Sequence, residues 1–343
     1  MKAFWDPVQL CHAPQFFLQR GQIRDNLEQP GRAEALLAGC RALGLDITLP
    51  PTVDQAALDA VHTSAYLDWL RGAHTAWTGL DDAGPEVVAN IHCAPEMMLT
   101  GARPAASPIG QAGWFTADTS CPVGAGTWDA AVAAASCAVA AADEAARSHD
   151  SYALCRPPGH HAYGARAGGH CYLNNAAIAA ERLIARGARR VAILDIDSHH
   201  GNGTQGVFWQ RADVLVVSIH GDPGGYYPWF VGHADERGSG PGVGFNRNLP
   251  LAQHTGDLGW LAALDVAVRA IERFGADALV VSLGFDASVD EPLAFLAVTE
   301  AGFARAGAAI GRLALPAAFI QEGGYNQARL GRLLECFLGA FSG

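Results

Sequence analysis

The segment Ile193-Leu194-Asp195-Ile196-Asp197-Ser198-His199-His200-Gly201-Asn202-Gly203 spaces Asp195, Asp197 and His199 two residues apart. At the end of an extended strand that spacing turns all three side chains to one side. Two carboxylates and an imidazole held together are costly unless a cation neutralises them, and a divalent metal does so directly. A second run, Val280-Val281-Ser282-Leu283-Gly284-Phe285-Asp286, ends on a carboxylate at the same kind of position. Asp197, His199 and Asp286 would make a three-ligand nitrogen and oxygen site with a position open for water, as catalytic zinc requires. Two further segments carry matching groups. Cys155-Arg156-Pro157-Pro158-Gly159-His160-His161 sets adjacent imidazoles behind a Pro-Pro turn, and Ile320-Gln321-Glu322-Gly323-Gly324-Tyr325 uses paired glycines to bring a tyrosine close to a ligand. Any one of these could be a hydrogen-bonded turn; all of them at strand ends argue for a site.

One motif points elsewhere. Gly201-Asn202-Gly203-Thr204-Gln205-Gly206 fits G-x-G-x-x-G after a strand, with Asp222 further on. A pyrophosphate there would face Asp195 and Asp197, which repel it, so a dinucleotide site is disfavoured.

The elements that must position these groups are legible in the second half. Apolar, β-rich runs at Val191–Asp197, Val214–His220, Ala278–Asp286 and Ala317–Glu322 predict strands, and Tyr152–Cys155 another. Helical spacing predicts Ala176–Arg186, Leu258–Phe274 with Thr255 as a possible N-cap, and an Ala-rich helix over Trp128–Arg147 behind Thr127. Strands apolar throughout and separated by helices argue for a parallel sheet covered on both faces, which binds ligands at the C-terminal strand edges. The first third is less regular: Phe4–Asp6 predicts a short strand, Arg32–Leu43 a helix, and residues 72–126 long, partly irregular loops. No linker or repeat divides the chain, so one domain over 1–343 is expected.

Lys and Arg total 23 against 34 Asp and Glu among 343 residues, a net charge of −11. Such a surface repels phosphate backbones and suits a cationic small molecule, although solubility alone would also explain it. No apolar run is long enough to span a bilayer. The eight cysteines are scattered, with no Cys-x-x-Cys pair, and read as reduced, mostly buried thiols of a cytoplasmic protein.

Arg156-Pro157-Pro158-Gly159-His160-His161, the run from Asp195 to Thr204, Gly284-Phe285-Asp286 and Glu322-Gly323-Gly324-Tyr325 resemble, in order, the motifs of the histone deacetylase superfamily. Within it the chain is most similar to bacterial acetylpolyamine amidohydrolases. The likeness runs over nearly the whole length, including Pro30-Gly31-Arg32-Ala33-Glu34 and Gly126-Thr127-Trp128. It implies an arginase/deacetylase-like three-layer α/β/α sandwich around a mostly parallel sheet. It also implies one Zn2+ per chain (Fe2+ being an alternative) on Asp197, His199 and Asp286. His161 would be general base and then acid, His160 its electrostatic partner bonded to Asp195, and Asn202 would face His161. Tyr325 would donate to the scissile carbonyl oxygen. A structural K+ would sit near Asp195, the Asp197 and His199 backbone, and Ser218. The implied reaction hydrolyses N-acetyl amides of aliphatic amines to acetate and free amine. The implied assembly is a homodimer, with the 72–126 loops narrowing the site mouth.

The substrate-facing positions depart from the family. Ile109 and Ser120 stand where the best-known polyamine deacetylase has acidic rim residues, with Asp118 nearby as a candidate substitute. After Gly168-Gly169, His170 replaces the usual tunnel aromatic, with Tyr227 as the opposite wall; Leu293 stands where the eukaryotic polyamine-selective member has an acidic gatekeeper. Acetylated polyamines, acyl-lysine in proteins and other small amides therefore all stay open as substrates. A binuclear manganese ureohydrolase would need a second carboxylate at Ser288.

Overall fold

Along the strand Val191–Asp195, Val191 and Ile193 pack into one apolar cluster while Ala192 and Leu194 pack into another. A strand whose side chains are apolar on both sides can only lie inside a covered sheet, and the computed structural model, which describes residues 1–343, is built on that plan. In chain order the elements are β1 (Lys2–Phe4), the hairpin β2 (Phe16–Gln19) and β3 (Gln22–Asp25), α1 (Gly31–Ala42) and β4 (Asp46–Thr48). Helices α2 (Gln55–Asp59), α3 (Ser64–Trp77), α4 (Pro95–Leu99), α5 (Pro108–Phe115) and α6 (Thr127–Ala145) follow, then β5 (Ser151–Ala153) and α7 (Asn175–Ala185). The rest alternates: β6 (Val191–Asp195), α8 (Asn202–Phe208), β7 (Val214–Gly221), β8 (Asn246–Leu251), α9 (Asp257–Phe274), β9 (Ala278–Leu283), α10 (Glu300–Gly311), β10 (Ala317–Gln321) and α11 (Gln327–Phe341).

Eight of the strands form one sheet in the order β4-β1-β5-β10-β9-β6-β7-β8, and every pairing in it is parallel. One face packs on α1, α9, α10 and α11 and the other on α6 and α7, which makes the α/β/α sandwich expected from the motifs. Alanines of α6 and α7 let those helices lie close to the sheet. A third apolar cluster sets α3 and α5 over α6 and α7.

Several expectations are corrected. The first strand is Lys2–Phe4 rather than Phe4–Asp6; β5, β6, β9 and β10 end one to three residues earlier than expected, because the chain turns away to present site residues, and β7 runs one residue further, to Gly221. Residues 72–126 are mostly loop, as expected, but the loop is interrupted: α3 runs in to Trp77, and the short helices α4 and α5 follow. Prolines suggested irregular chain there, yet Pro95 and Pro108 each occupy a helix first turn, where a missing N–H costs nothing. Gly256, not Thr255, caps α9; the Thr255 hydroxyl donates to the Ala252 carbonyl instead. The strands β4 and β8 and the hairpin gave no apolar run to read. In β8 the buried residues are Asn246 and Asn248, whose amides donate to Gln205. All eight cysteines are free, five of them buried.

Beneath the sheet edge lies a buried charge triad. Glu28 pairs with both Arg32 and Arg156, and all three side chains are essentially inaccessible. The guanidiniums also donate to carbonyls, Arg32 to Glu322 and Gly324 and Arg156 to Gln9 and Gln29. Removing one member of a buried pair strands the other charges. Glu28→Ala is therefore expected to cost roughly 3–5 kcal/mol in urea unfolding; a loss below about 1 kcal/mol, as for a surface pair, would show that the carbonyls alone suffice.

Candidate active site

The C-terminal edge of the sheet gathers the polar residues. β6 stops at Asp195, and the chain leaving it carries Asp197 and His199; β9 stops at Leu283, three residues before Asp286. The Asp197, His199 and Asp286 ligand atoms all lie within 4.8 Å of one another. His199 Nδ1 is 2.9 Å from Asp286 Oδ2 and 3.2 Å from Asp197 Oδ1. Backbone donors aim the carboxylates: Gly323 N–H to Asp197 Oδ2 (2.8 Å) and Ser198 N–H to Asp286 Oδ1 (2.7 Å). The approach needs glycine, because a Cβ at Gly284 would strike the Asp197 carboxylate and one at Gly323 both carboxylates. Burial opposes charge on His199, but Asp286 and Asp197 outweigh it and raise its pKa to about 9. The cluster thus holds a proton where a divalent cation would satisfy the same two carboxylates, with Nδ1 turned from donor to ligand. Its residues fit a divalent metal.

Beside this cradle the two adjacent histidines are set apart electrically. His160 Nδ1 donates to Asp195 Oδ2 at 2.9 Å. Burial opposes its charge, yet Asp197 and Asp195 prevail and hold its pKa well above the ordinary value. His161 Nδ1 lies 2.6 Å from Asn202 Oδ1. Because the Asn202 amide donates to Tyr163 Oη (2.8 Å), its oxygen faces His161, and Nδ1 must carry the proton. Burial, then His160 and His199, push the His161 pKa well below the usual range. Neighbouring imidazoles, with ring centroids 4.0 Å apart, therefore have opposite proton affinities.

The Tyr325 loop closes the site. Its ring sits under the Arg32 guanidinium, 4.8 Å from centroid to Cζ. Burial above all keeps the phenol protonated, its pKa well above 10. Glu291 accepts the Tyr325 and Asn326 N–H groups at 2.8 and 3.1 Å, and Glu322 accepts those of Gly159 and His160 at 2.7 and 3.1 Å. Sequence reading gave no role to Glu291 or Glu322; only the second lay inside a recognised motif.

Outside the cradle, Tyr227 stands edge-on to His161 (4.9 Å between centroids), and His170 lies 5.9 Å from Tyr325 and 5.6 Å from Phe17. His170 and Gly169 both have positive φ, and Gly169 N–H donates to Asp118 Oδ2 (3.1 Å). Burial, assisted by Arg32 and His199, lowers the His170 pKa to about 4 against the pull of Glu28 and Asp118, so it lines the site as an uncharged ring. Asp118 is not a free rim carboxylate: it accepts Tyr227 Oη at 2.6 Å as well as Gly169, and Ser120 N–H at 2.7 Å on its other oxygen. Tyr226, unremarked in the sequence, stacks on His199 at 4.4 Å. Ile109 stands exposed in the first turn of α5, and Leu293 meets the site through its carbonyl, which accepts Tyr226 Oη. Ser218, in register with Asp195 on the next strand, pairs its hydroxyl with His220 Nδ1 at 2.8 Å.

A buried demand for positive charge, with one imidazole charged and its neighbour neutral beside it, is the equipment of a metal-dependent hydrolase. Residues 26–341 match the histone deacetylase domain. The chain is 45% identical over 344 residues to an acetylpolyamine amidohydrolase of Burkholderia pseudomallei, covering 99% of this chain and 98% of that one. It is 44% identical to acetylpolyamine amidohydrolase 1 of Pseudomonas aeruginosa, over 93% of this chain and 92% of the relative. A crystal structure of the Burkholderia pseudomallei acetylpolyamine aminohydrolase superposes with a TM-score of 0.96, at 44% identity over 100% of this chain and 98% of that one. The HD domain of HDA15 superposes at 0.82 with 29% identity, over 100% and 91%. This chain belongs to the histone deacetylase family and is an amidohydrolase of that family.

Proposed function

We propose that residues 1–343 act as one catalytic unit that hydrolyses N-acetyl amides of aliphatic amines, acetylpolyamines first, to acetate and free amine. The observation that carries the chemistry is the cation cradle of Asp197, His199 and Asp286 beside a neutral His161 whose Nδ1 is tied to Asn202. The choice of polyamine rests on the names of relatives that match nearly end to end.

Asp197, His199 and Asp286 would hold the ion, taken here as one Zn2+ per chain with Fe2+ as the alternative. Such an ion supplies a Lewis acid for the amide carbonyl and eases deprotonation of water. His161 Nε2, left bare by the Asn202 contact, takes the proton from the attacking water and returns it to the leaving nitrogen. His160, charged against Asp195, holds positive potential beside the developing oxyanion, and the Tyr325 hydroxyl donates to that oxygen. Tyr227, Gly169 and His170 wall the entry for the amine chain, with Ser120, Ile109 and Leu293 toward the rim. A structural K+ fits beside Asp195 and Ser218, where the Asp197 and His199 carbonyl oxygens accept no backbone hydrogen bond.

A net charge of −11 suits a small cationic substrate. Exposed Leu99 (88%) and Phe230 (87%) suit burial in a homodimer. No helix is long and apolar enough to cross a membrane, in keeping with a cytoplasmic site of action.

Acetate release by the zinc-loaded enzyme from acetylputrescine, acetylspermidine and an acetyl-lysine peptide at matched concentrations tests the reading. The free acetylamines are expected to turn over faster. Faster peptide turnover would make the chain a protein deacylase with an open rim, consistent with Asp118 being engaged internally. Chelation should abolish turnover of all three, with recovery on returning the metal; activity that survived chelation would overturn the metal chemistry.

A further inference from the structure

The turn that presents His160 and His161 has no secondary structure to hold it. On its far side, the His160 carbonyl accepts the Gly203 and Thr204 N–H groups of α8 at 3.0 and 3.1 Å. On its near side, the N–H groups of Gly159 and His160 have a single acceptor, Glu322 Oε2, contributed from 163 and 162 residues away, just past the end of β10. Glu322 is fully buried. Its own backbone is fixed as firmly: its N–H donates to the Leu283 carbonyl at 2.9 Å, and its carbonyl accepts Arg32 at 2.6 Å. The next N–H, that of Gly323, aims Asp197. Glu322 and the glycine that follows it thus join the histidine turn, the Tyr325 loop and a cradle carboxylate.

We infer that Glu322 is a positioning residue that sets the histidine pair against the cation cradle and the Tyr325 hydroxyl through the acceptor it offers to two backbone N–H groups. The inference rests on the deacetylase reading above. Its second oxygen, Oε1, is buried without a partner. Burial, opposed mainly by His160, raises the carboxyl pKa to about 8. A carboxylic acid that is neutral near pH 7 and uses one oxygen as acceptor has a close mimic in glutamine, whose amide oxygen can take both N–H groups. Aspartate keeps the carboxyl but draws it back by one methylene, which opens both contacts. Displacements on the order of 1 Å in a reacting group cost about 10²-fold in rate.

The test compares Glu322→Gln, Glu322→Asp and Glu322→Ala by kcat, KM, metal content and melting temperature, per mole of folded, metal-loaded enzyme. Glu322→Gln should keep kcat within a few-fold of the parent. Glu322→Asp should lose about tenfold and Glu322→Ala about 10²-fold, with KM and metal content unchanged. A purely structural residue would lower the melting temperature and leave kcat of the folded fraction intact, which would overturn the inference. So would Glu322→Asp matching the parent while Glu322→Gln fails, because charge and not acceptor position would then matter. If Glu322→Ala does not fold, the Gln and Asp pair still decides. A parent enzyme inactive on every amide would instead overturn the deacetylase reading.

Discussion

Tyr325→Phe is expected to lower kcat by about 10²–10³-fold while leaving metal content and KM nearly unchanged. The ring is held independently of its hydroxyl, under Arg32 and against His170, and the loop is held by Glu291 and by Arg32 through backbone atoms. Removing one oxygen therefore leaves the loop where it is. That hydroxyl makes no hydrogen bond within the chain, whereas the phenols of Tyr66, Tyr152, Tyr172 and Tyr227 all do. A protonated donor kept free beside a cation cradle does its work on a bound oxygen, and does most when that oxygen becomes an anion. Steady-state kinetics with metal analysis on the same sample checks this, and near-normal turnover would assign the oxyanion donor elsewhere.

His161→Ala should lose about 10²–10⁴-fold in kcat, the range for a general acid–base group. The parent's acid limb should lie below the ordinary histidine range. Burial and the neighbouring imidazoles disfavour the proton on His161, so its basic form persists as pH falls and activity is lost only below the depressed pKa. Kinetics of the variant and a pH–rate profile of the parent measure both. Retained activity in the variant would move the base to another residue; an acid limb above the ordinary histidine value would mean that His161 is held in its charged form.

What could be read beforehand followed a physical divide. The strands β6, β7, β9 and β10 announced themselves because a parallel strand covered on both faces must be apolar along its length. The ligands and histidines were legible because they sit within a few residues of those strand ends. β8 stayed hidden because its interior is polar: Asn246 and Asn248 are buried by pairing with Gln205. Within 72–126 the short helices α4 and α5 stayed hidden because proline opens a helix as readily as it breaks one. In the site, Glu322 and Glu291 went unassigned because each acts on backbone N–H groups distant in sequence, and that choice leaves no pattern in residue types. The position of Asp118 in the sequence suggests a rim acid, but nothing in its spacing discloses that Tyr227 and Gly169 already use it.

The strand order carries a consequence for how the molecule comes into being. Without β10 the sheet is two separate slabs, β4-β1-β5 and β9-β6-β7-β8, because β5 and β9 touch no strand in common except β10. Asp197, His199 and Asp286 belong to one slab, whereas His160 and His161 follow β5 on the other. The cation cradle and the proton-transfer pair thus hang on different slabs, and within the sheet only β10 sets one against the other. Residues 317–321 are the keystone: their insertion joins the halves and in the same movement delivers Glu322 and Tyr325. The cradle, the histidine pair and the tyrosine are therefore set in register within the sheet only once β10 is in place.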